Sequence, residues 1–130
     1  MLINIESAEI FKEDERGKIY EFSTRPNSYF LVLYREKGTV SAKHYHKGTI
    51  KSKSPETFYL VSGEVEFLVR DMMTGKEETY TIQAKTKIEV PPNTYHEVKA
   101  KTDIILLELN TDKEDFKGYD SDTVRPGRES

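Results

Sequence analysis

Six short runs rich in β-branched and aromatic residues divide most of this chain, and none carries a helical repeat. They are SYFLVLY (28–34), ETFYLVS (56–62), EVEFLVR (64–70), ETYTI (78–82), TKIEV (86–90) and TDIILLEL (102–109). Several alternate in polarity, as a half-buried strand must: Val65, Phe67 and Val69 share one face, and Ile88 and Val90 alternate with Lys87 and Glu89. Turn signals separate them. DMMTGK (71–76) reads as a hairpin turn with Gly75 free to take positive φ, and Pro91-Pro92-Asn93 breaks the chain between two strands. The fold class is therefore all-β, a sandwich or barrel.

At 130 residues the chain reads as one domain, 1–130, long enough to bury a real core. The barrel core is expected over about 17–110. The polar tail, 111–130, has Phe116, Tyr119 and Val124 as its sizeable anchors; its expected course is short and irregular, laid across the barrel or a partner subunit and frayed at the end. The absence of cysteine removes disulfides and thiolate ligands and fits a reducing cytoplasm. No stretch approaches the roughly 20 apolar residues of a membrane helix, and a net charge of −3 argues against a general nucleic-acid binder.

The chain has only three histidines. His44 and His46 stand at i and i+2, so on a strand they point the same way. Two imidazoles on one face can grip a metal ion, with a carboxylate and a third imidazole from neighbouring strands completing the set. Glu56 opens the next strand and His96 follows the Pro-Pro-Asn turn. The alternative for each histidine is ordinary packing or surface exposure.

These residues carry a family resemblance. Gly38, His44-x-His46, Glu56 and Gly63, followed by Pro91 and His96, resemble the two motifs of the cupins. The resemblance implies a double-stranded β-helix, or jelly-roll barrel, and a divalent transition metal (Fe, Mn, Ni, Cu or Zn) on His44, His46, Glu56 and His96. It also implies a homodimer, pairing through sheet edges or exchanged terminal strands. The chain departs from the pattern in places. Nine residues, 47–55, separate His46 from Glu56 where three or four are usual, Asn93 replaces the second motif's glycine, and Lys85 replaces another.

Asp14-Glu15-Arg16-Gly17, His44-Tyr45-His46 and FYLVSGEVEFLVRDMMTGKEETYTI carry a second, weaker resemblance, to the sugar-nucleotide branch of the cupins: the 3,5-epimerases, the 3,4-ketoisomerases and the capsular polysaccharide proteins. That branch implies proton transfer beside a sugar carbonyl, hence an epimerase or isomerase of a keto sugar or sugar nucleotide in carbohydrate metabolism. An Fe(II)-dependent dioxygenase and a non-catalytic small-molecule binder stay open as alternatives. Those enzymes commonly place an arginine where this chain has Ser41, so Arg35, Lys51 and Lys53 are the candidate cationic contacts to substrate. Tyr95 is a further substrate-binding candidate. If all three histidines and Glu56 serve as ligands, the proton-transferring group must be another residue, and the sequence assigns none.

Overall fold

The computed structural model describes residues 2–25 and 27–127, so the expected fraying over the last three residues lies outside it. Ten strands follow one another before the tail: β1 (Glu9–Asp14), β2 (Gly17–Arg25), β3 (Ser28–Arg35), β4 (Val40–His46), β5 (Glu56–Ser62), β6 (Glu64–Asp71), β7 (Glu77–Gln83), β8 (Thr86–Val90), β9 (Thr94–Ala100) and β10 (Ile104–Asn110). They form two antiparallel sheets. One has the order β1-β2-β3-β10-β5-β8, and the other runs β4-β9-β6-β7, with a last short strand of the tail beyond β4. The expected jelly roll thus takes the form of a two-sheet sandwich, and no ladder among the described residues closes the sheets into a continuous barrel.

Alternation decides which residues meet between the sheets. On β6, Val65 and Phe67 are buried, and on β10, Ile104 and Leu106. They join Leu31, Leu33, Phe58, Leu60, Val98 and Phe116 in one core. The opposite face of the larger sheet leaves Phe22, Tyr34, Tyr59 and Val61 exposed.

The turns explain the motif positions. Gly63 has φ 90°, and a Cβ there would come within 2.4 Å of the Asp103 carbonyl oxygen, so this glycine is required twice over. Lys85 and Asn93, the two replacements for motif glycines, keep the left-handed backbone with φ 69° and 60°. The hairpin at Gly75 (φ 81°) forms between β6 and β7 as expected.

The tail is more regular than its polar composition suggests. It folds as α1 (Lys113–Phe116), α2 (Tyr119–Asp122) and β11 (Thr123–Val124), which pairs with β4 through Thr123 opposite His46. Asp112 caps α1, its side chain accepting from the Asp115 N–H. Four-residue helices are too short to show a period, which is why the sequence does not announce them. Among the described residues no helix is long and apolar enough to cross a membrane.

Candidate functional site

β4 reaches the site through a bulge. Its ladder with β9 slips between Ala42 and His44, where Ala42 (φ 71°) and Lys43 (φ 58°) both take left-handed conformations. Such a bulge re-aims the side chains that follow it. Beyond it His44 and His46 point inward, and His44 lies opposite His96 of β9. His96 stacks on Phe67 with ring centroids 5.9 Å apart and an interplanar angle of 6°. Glu56 enters from β5 in the other sheet. The two sheets thus bring His44, His46, Glu56 and His96 together, all buried, each offering a ligand atom within 4.8 Å of the others.

Hydrogen bonds behind the rings set their tautomers. His96 Nδ1 lies 3.1 Å from the Thr94 carbonyl oxygen, which can only accept, so Nδ1 carries the proton and Nε2 presents a lone pair. The Thr123 hydroxyl donates to the Tyr119 carbonyl at 2.6 Å and therefore accepts from His46 Nδ1 at 3.1 Å. The Asp122 carboxylate stands 3.6 Å from the same Nδ1. Both Nε2 lone pairs then face one carboxylate: His46 Nε2 is 3.2 Å from Glu56 Oε2, and His96 Nε2 is 2.9 Å from Glu56 Oε1. The shorter contact has no hydrogen-bond geometry, and both its atoms are otherwise unpartnered. Lone pairs facing a carboxylate repel unless a cation lies between them. Two donors bound to one ion at about 2.1 Å and at right angles stand about 3 Å apart, as these do. Burial, with His96 the next contributor, lowers the His44 pKa to about 2, so its ring is neutral at physiological pH.

Glu56 is ionised although fully buried. Burial works against its charge, but the Lys53 ammonium holds its pKa well below the usual carboxylate range. Lys53 has no exposed surface; its Nζ lies 3.1 Å from Glu56 Oε2 and 3.3 Å from Glu108 Oε2 and donates to Asn110 Oδ1 at 3.0 Å.

A cavity of about 300 Å³ opens beside the cluster, with His44, Glu56 and Glu108 in its wall, Leu31 and Phe58 on its apolar side, and Tyr119 from the tail. Arg16, Arg35 and Arg125 also line it. Arg35 Nε donates to Ser41 Oγ at 3.0 Å, so an arginine from β3 lies beside Ser41 on the cavity wall. Of the other expected substrate contacts, Lys53 lies beneath Glu56 rather than on the cavity wall, and Lys51 is exposed on its loop. Tyr95 sits on the far face of β9, its hydroxyl donating to Glu97 at 2.7 Å. Sequence reasoning missed Glu108. Its signal was available: a glutamate on the inward register of an apolar strand, two residues past Leu106.

The chain is similar in fold to the capsular polysaccharide assembling protein CapF from Staphylococcus aureus, at TM-score 0.70 and 20% identity over 91% of this chain and 34% of that one. CapF with the inhibitor 3-isopropenyl-tropolone gives 0.71, with 20% identity over 91% and 33%. The Lactobacillus farciminis oxalate decarboxylase formate complex gives 0.65, with 20% identity over 81% and 31%. These likenesses show the cupin fold, and the chain spans about a third of the length of each of these proteins. No curated protein matches it. The polysaccharide biosynthesis C-terminal domain family matches residues 12–124, nearly the whole of both sheets and the tail that closes them, and the chain belongs to that family.

Proposed function

We propose that this chain binds one divalent transition metal through His44, His46, Glu56 and His96 and transfers a proton beside the carbonyl of a sugar or sugar nucleotide, as an epimerase or isomerase. The observation that carries the metal is the convergence of four buried ligand atoms within 4.8 Å of one another, with His46 and His96 Nε2 both turned onto the Glu56 carboxylate. The donor set of three nitrogens and one oxygen, without thiolate, suits an open, catalytic-type site and does not select among Fe, Mn, Ni, Cu and Zn. Mn(II) centres are named for the Bacillus subtilis oxalate decarboxylase, which has a similar fold at 23% identity and TM-score 0.64.

When bound, such an ion supplies Lewis-acid stabilisation of a carbonyl or enolate oxygen. The rest falls to the chain. The cavity, of about 300 Å³, is of a size for one sugar ring rather than a whole sugar nucleotide. Arg35, oriented by Ser41 and by Asp14 at 3.8 Å, offers a guanidinium to an anionic substituent, with Arg16 and Arg125 beside it. The family's description, polysaccharide biosynthesis, supports a saccharide substrate.

Elemental analysis and titration calorimetry on the purified protein test the centre. The expected result is one equivalent of metal per chain, with affinity reduced at least about 100-fold in His96→Ala; wild type that takes up no transition metal overturns the reading.

A further inference from the structure

With His44, His46, Glu56 and His96 engaged as ligands, the reaction proposed above still needs a group that removes and returns a proton. The cavity wall offers few. Arg16, Arg35 and Arg125 are cations. Asp120 is exposed. Burial, followed by the nearby Glu108 and Glu56 charges, pushes the Tyr119 phenol above its ordinary range, so it is no base at physiological pH.

Glu108 differs from all of these. It lies on β10, in the sheet that supplies Glu56, and its side chain is turned inward with 8% of the residue exposed. It lines the same cavity as His44 and Glu56. Its Oε2 is fixed twice, by the Lys53 ammonium at 3.3 Å and by Asn110 Nδ2 at 3.2 Å. Its Oε1 receives no hydrogen bond from any described residue, and the side chain keeps 10% exposure. One oxygen is therefore clamped and the other is free. Lys53 also reaches Glu56 Oε2, so a single ammonium sets the distance between the ligand carboxylate and this second one.

We propose that Glu108 is the catalytic base of this centre, its Oε1 taking the proton from the carbon next to the substrate carbonyl. The inference rests on the proton-transfer reading of the site. In the forward step the C–H bond breaks and an O–H bond forms on Glu108. The electron pair of the broken bond becomes the new carbon–carbon double bond, and the carbonyl π pair moves to its oxygen to give an enolate. The same carboxylic acid then returns the proton to the neighbouring carbon on the face it was taken from, whereas inversion at the first carbon takes its new proton from solvent on the opposite face; no oxidant or reductant is consumed. Lys53 and Asn110 are positioning residues: they hold Oε2 and so leave Oε1 aimed at the guest.

The test uses metal-loaded protein in D2O with dTDP-4-keto-6-deoxyglucose as probe, following loss of the proton signals next to the carbonyl by NMR. Metal stoichiometry and affinity are measured by calorimetry on the same samples. Wild type is expected to exchange. Glu108→Gln is expected to bind metal within about threefold of wild type but to exchange at least about 100-fold more slowly, the usual size of a general-base contribution. Glu108→Asp, which keeps the carboxylate but retracts it, is expected to fall between. A Glu108→Gln protein that exchanges at the wild-type rate overturns the proposal while leaving the functional reading intact, and so does one that loses its metal. If Glu108→Gln does not fold, wild-type exchange by a folded Glu108→Asp overturns it equally. Metal-loaded wild type that does not exchange the probe overturns the functional reading, and this assignment with it.

Discussion

Replacing Lys53 by methionine should destabilise the metal-free protein strongly, although the sequence places this residue in a polar, lysine-rich loop. Methionine nearly matches the side chain's length and retains its contacts with Phe116 and Tyr119, whose ring centroids lie 5.6 and 5.5 Å from Nζ. What disappears is the only cation among the described residues between Glu56 Oε2, at 3.1 Å, and Glu108 Oε2, at 3.3 Å. Two carboxylates are left buried without it, and breaking a buried pair this way costs about 3–5 kcal/mol. With an unfolding entropy of about 2.1 cal/mol/K per residue, a chain of 130 residues loses roughly 4 °C per kcal/mol. The melting temperature should therefore fall by about 10–20 °C. The assay is thermal and urea unfolding in the presence of a chelator, with exposed Lys51→Met as control, expected within about 0.5 kcal/mol of wild type. The pH dependence has a defined sign. Burial opposes charge on both partners, but attraction to Glu108 and Glu56 raises Lys53 above its ordinary 10.5, and the Lys53 ammonium lowers Glu56 below its ordinary 4.5. The raised Lys53 contributes fully below 10.5 and is lost as pH rises through its folded value; the lowered Glu56 contributes fully above 4.5 and is lost as pH falls through its own. The gap between wild type and variant should be flat between those limits. A gap below about 1 kcal/mol at neutral pH would refute the reasoning, because that is the net worth of one ordinary hydrogen bond.

Two further changes probe the loops. Asp115 accepts from the Lys51 and Ser52 N–H groups at 3.0 and 2.9 Å and from the Ser52 hydroxyl at 2.7 Å. Burial alone would raise its pKa, but these bonds hold it at about 2; its contribution is present above its ordinary 3.8 and fades as pH falls toward that lowered value. Asp115→Ala should cost about 1–3 kcal/mol, speed amide exchange at Lys51 and Ser52, and flatten the acid limb of the stability curve; unchanged exchange would count against it. Lys85→Gly should raise stability by roughly 0.5–1 kcal/mol, because the left-handed backbone at φ 69° strains a lysine more than a glycine's extra chain entropy costs, and a lower melting temperature would contradict that.

How much of this was legible depended on whether a residue's partner was local. β5, β6, β7 and β8 announced themselves because their alternation is internal to each strand. β2 and β9 did not. GKIYEFSTR and TYHEVKA mix charge and apolar residues too evenly, and they become strands through the neighbours they pair with. The four-residue cluster was readable because His44 and His46 share a strand face, whereas the reach of Glu56 across the sandwich follows only from the topology. Lys51 and Lys53 look equivalent in sequence, yet one is exposed and the other wholly buried. A bridge with Glu56, only three residues on, turns the second inward, but the partners it meets there, Glu108 and Asn110, lie on a distant strand that no local pattern encodes.

The nine residues between His46 and Glu56 and the polar tail explain each other. Separately each resembles a surface excursion: 47–55 has Ile50 as its one large apolar residue, and 111–124 has few. Together they satisfy one another's backbone. Asp122 accepts from Thr49 N and Oγ1, both at 2.6 Å, its carbonyl accepts from Lys47 N at 2.9 Å, and Asp115 gathers Lys51 and Ser52. The interlock delivers Lys53 beneath Glu56 from one side. From the other it delivers Thr123, Asp122 and Tyr119 against His46 and the cavity. A shorter loop of ordinary length would leave Glu56 and Glu108 without their shared cation, and burial would then favour the protonated form of Glu56. The lengthened spacing is therefore no sign of a decayed motif. It is how this chain places one buried ammonium between two buried carboxylates, the one proposed above to hold an ion and the one proposed to accept a proton.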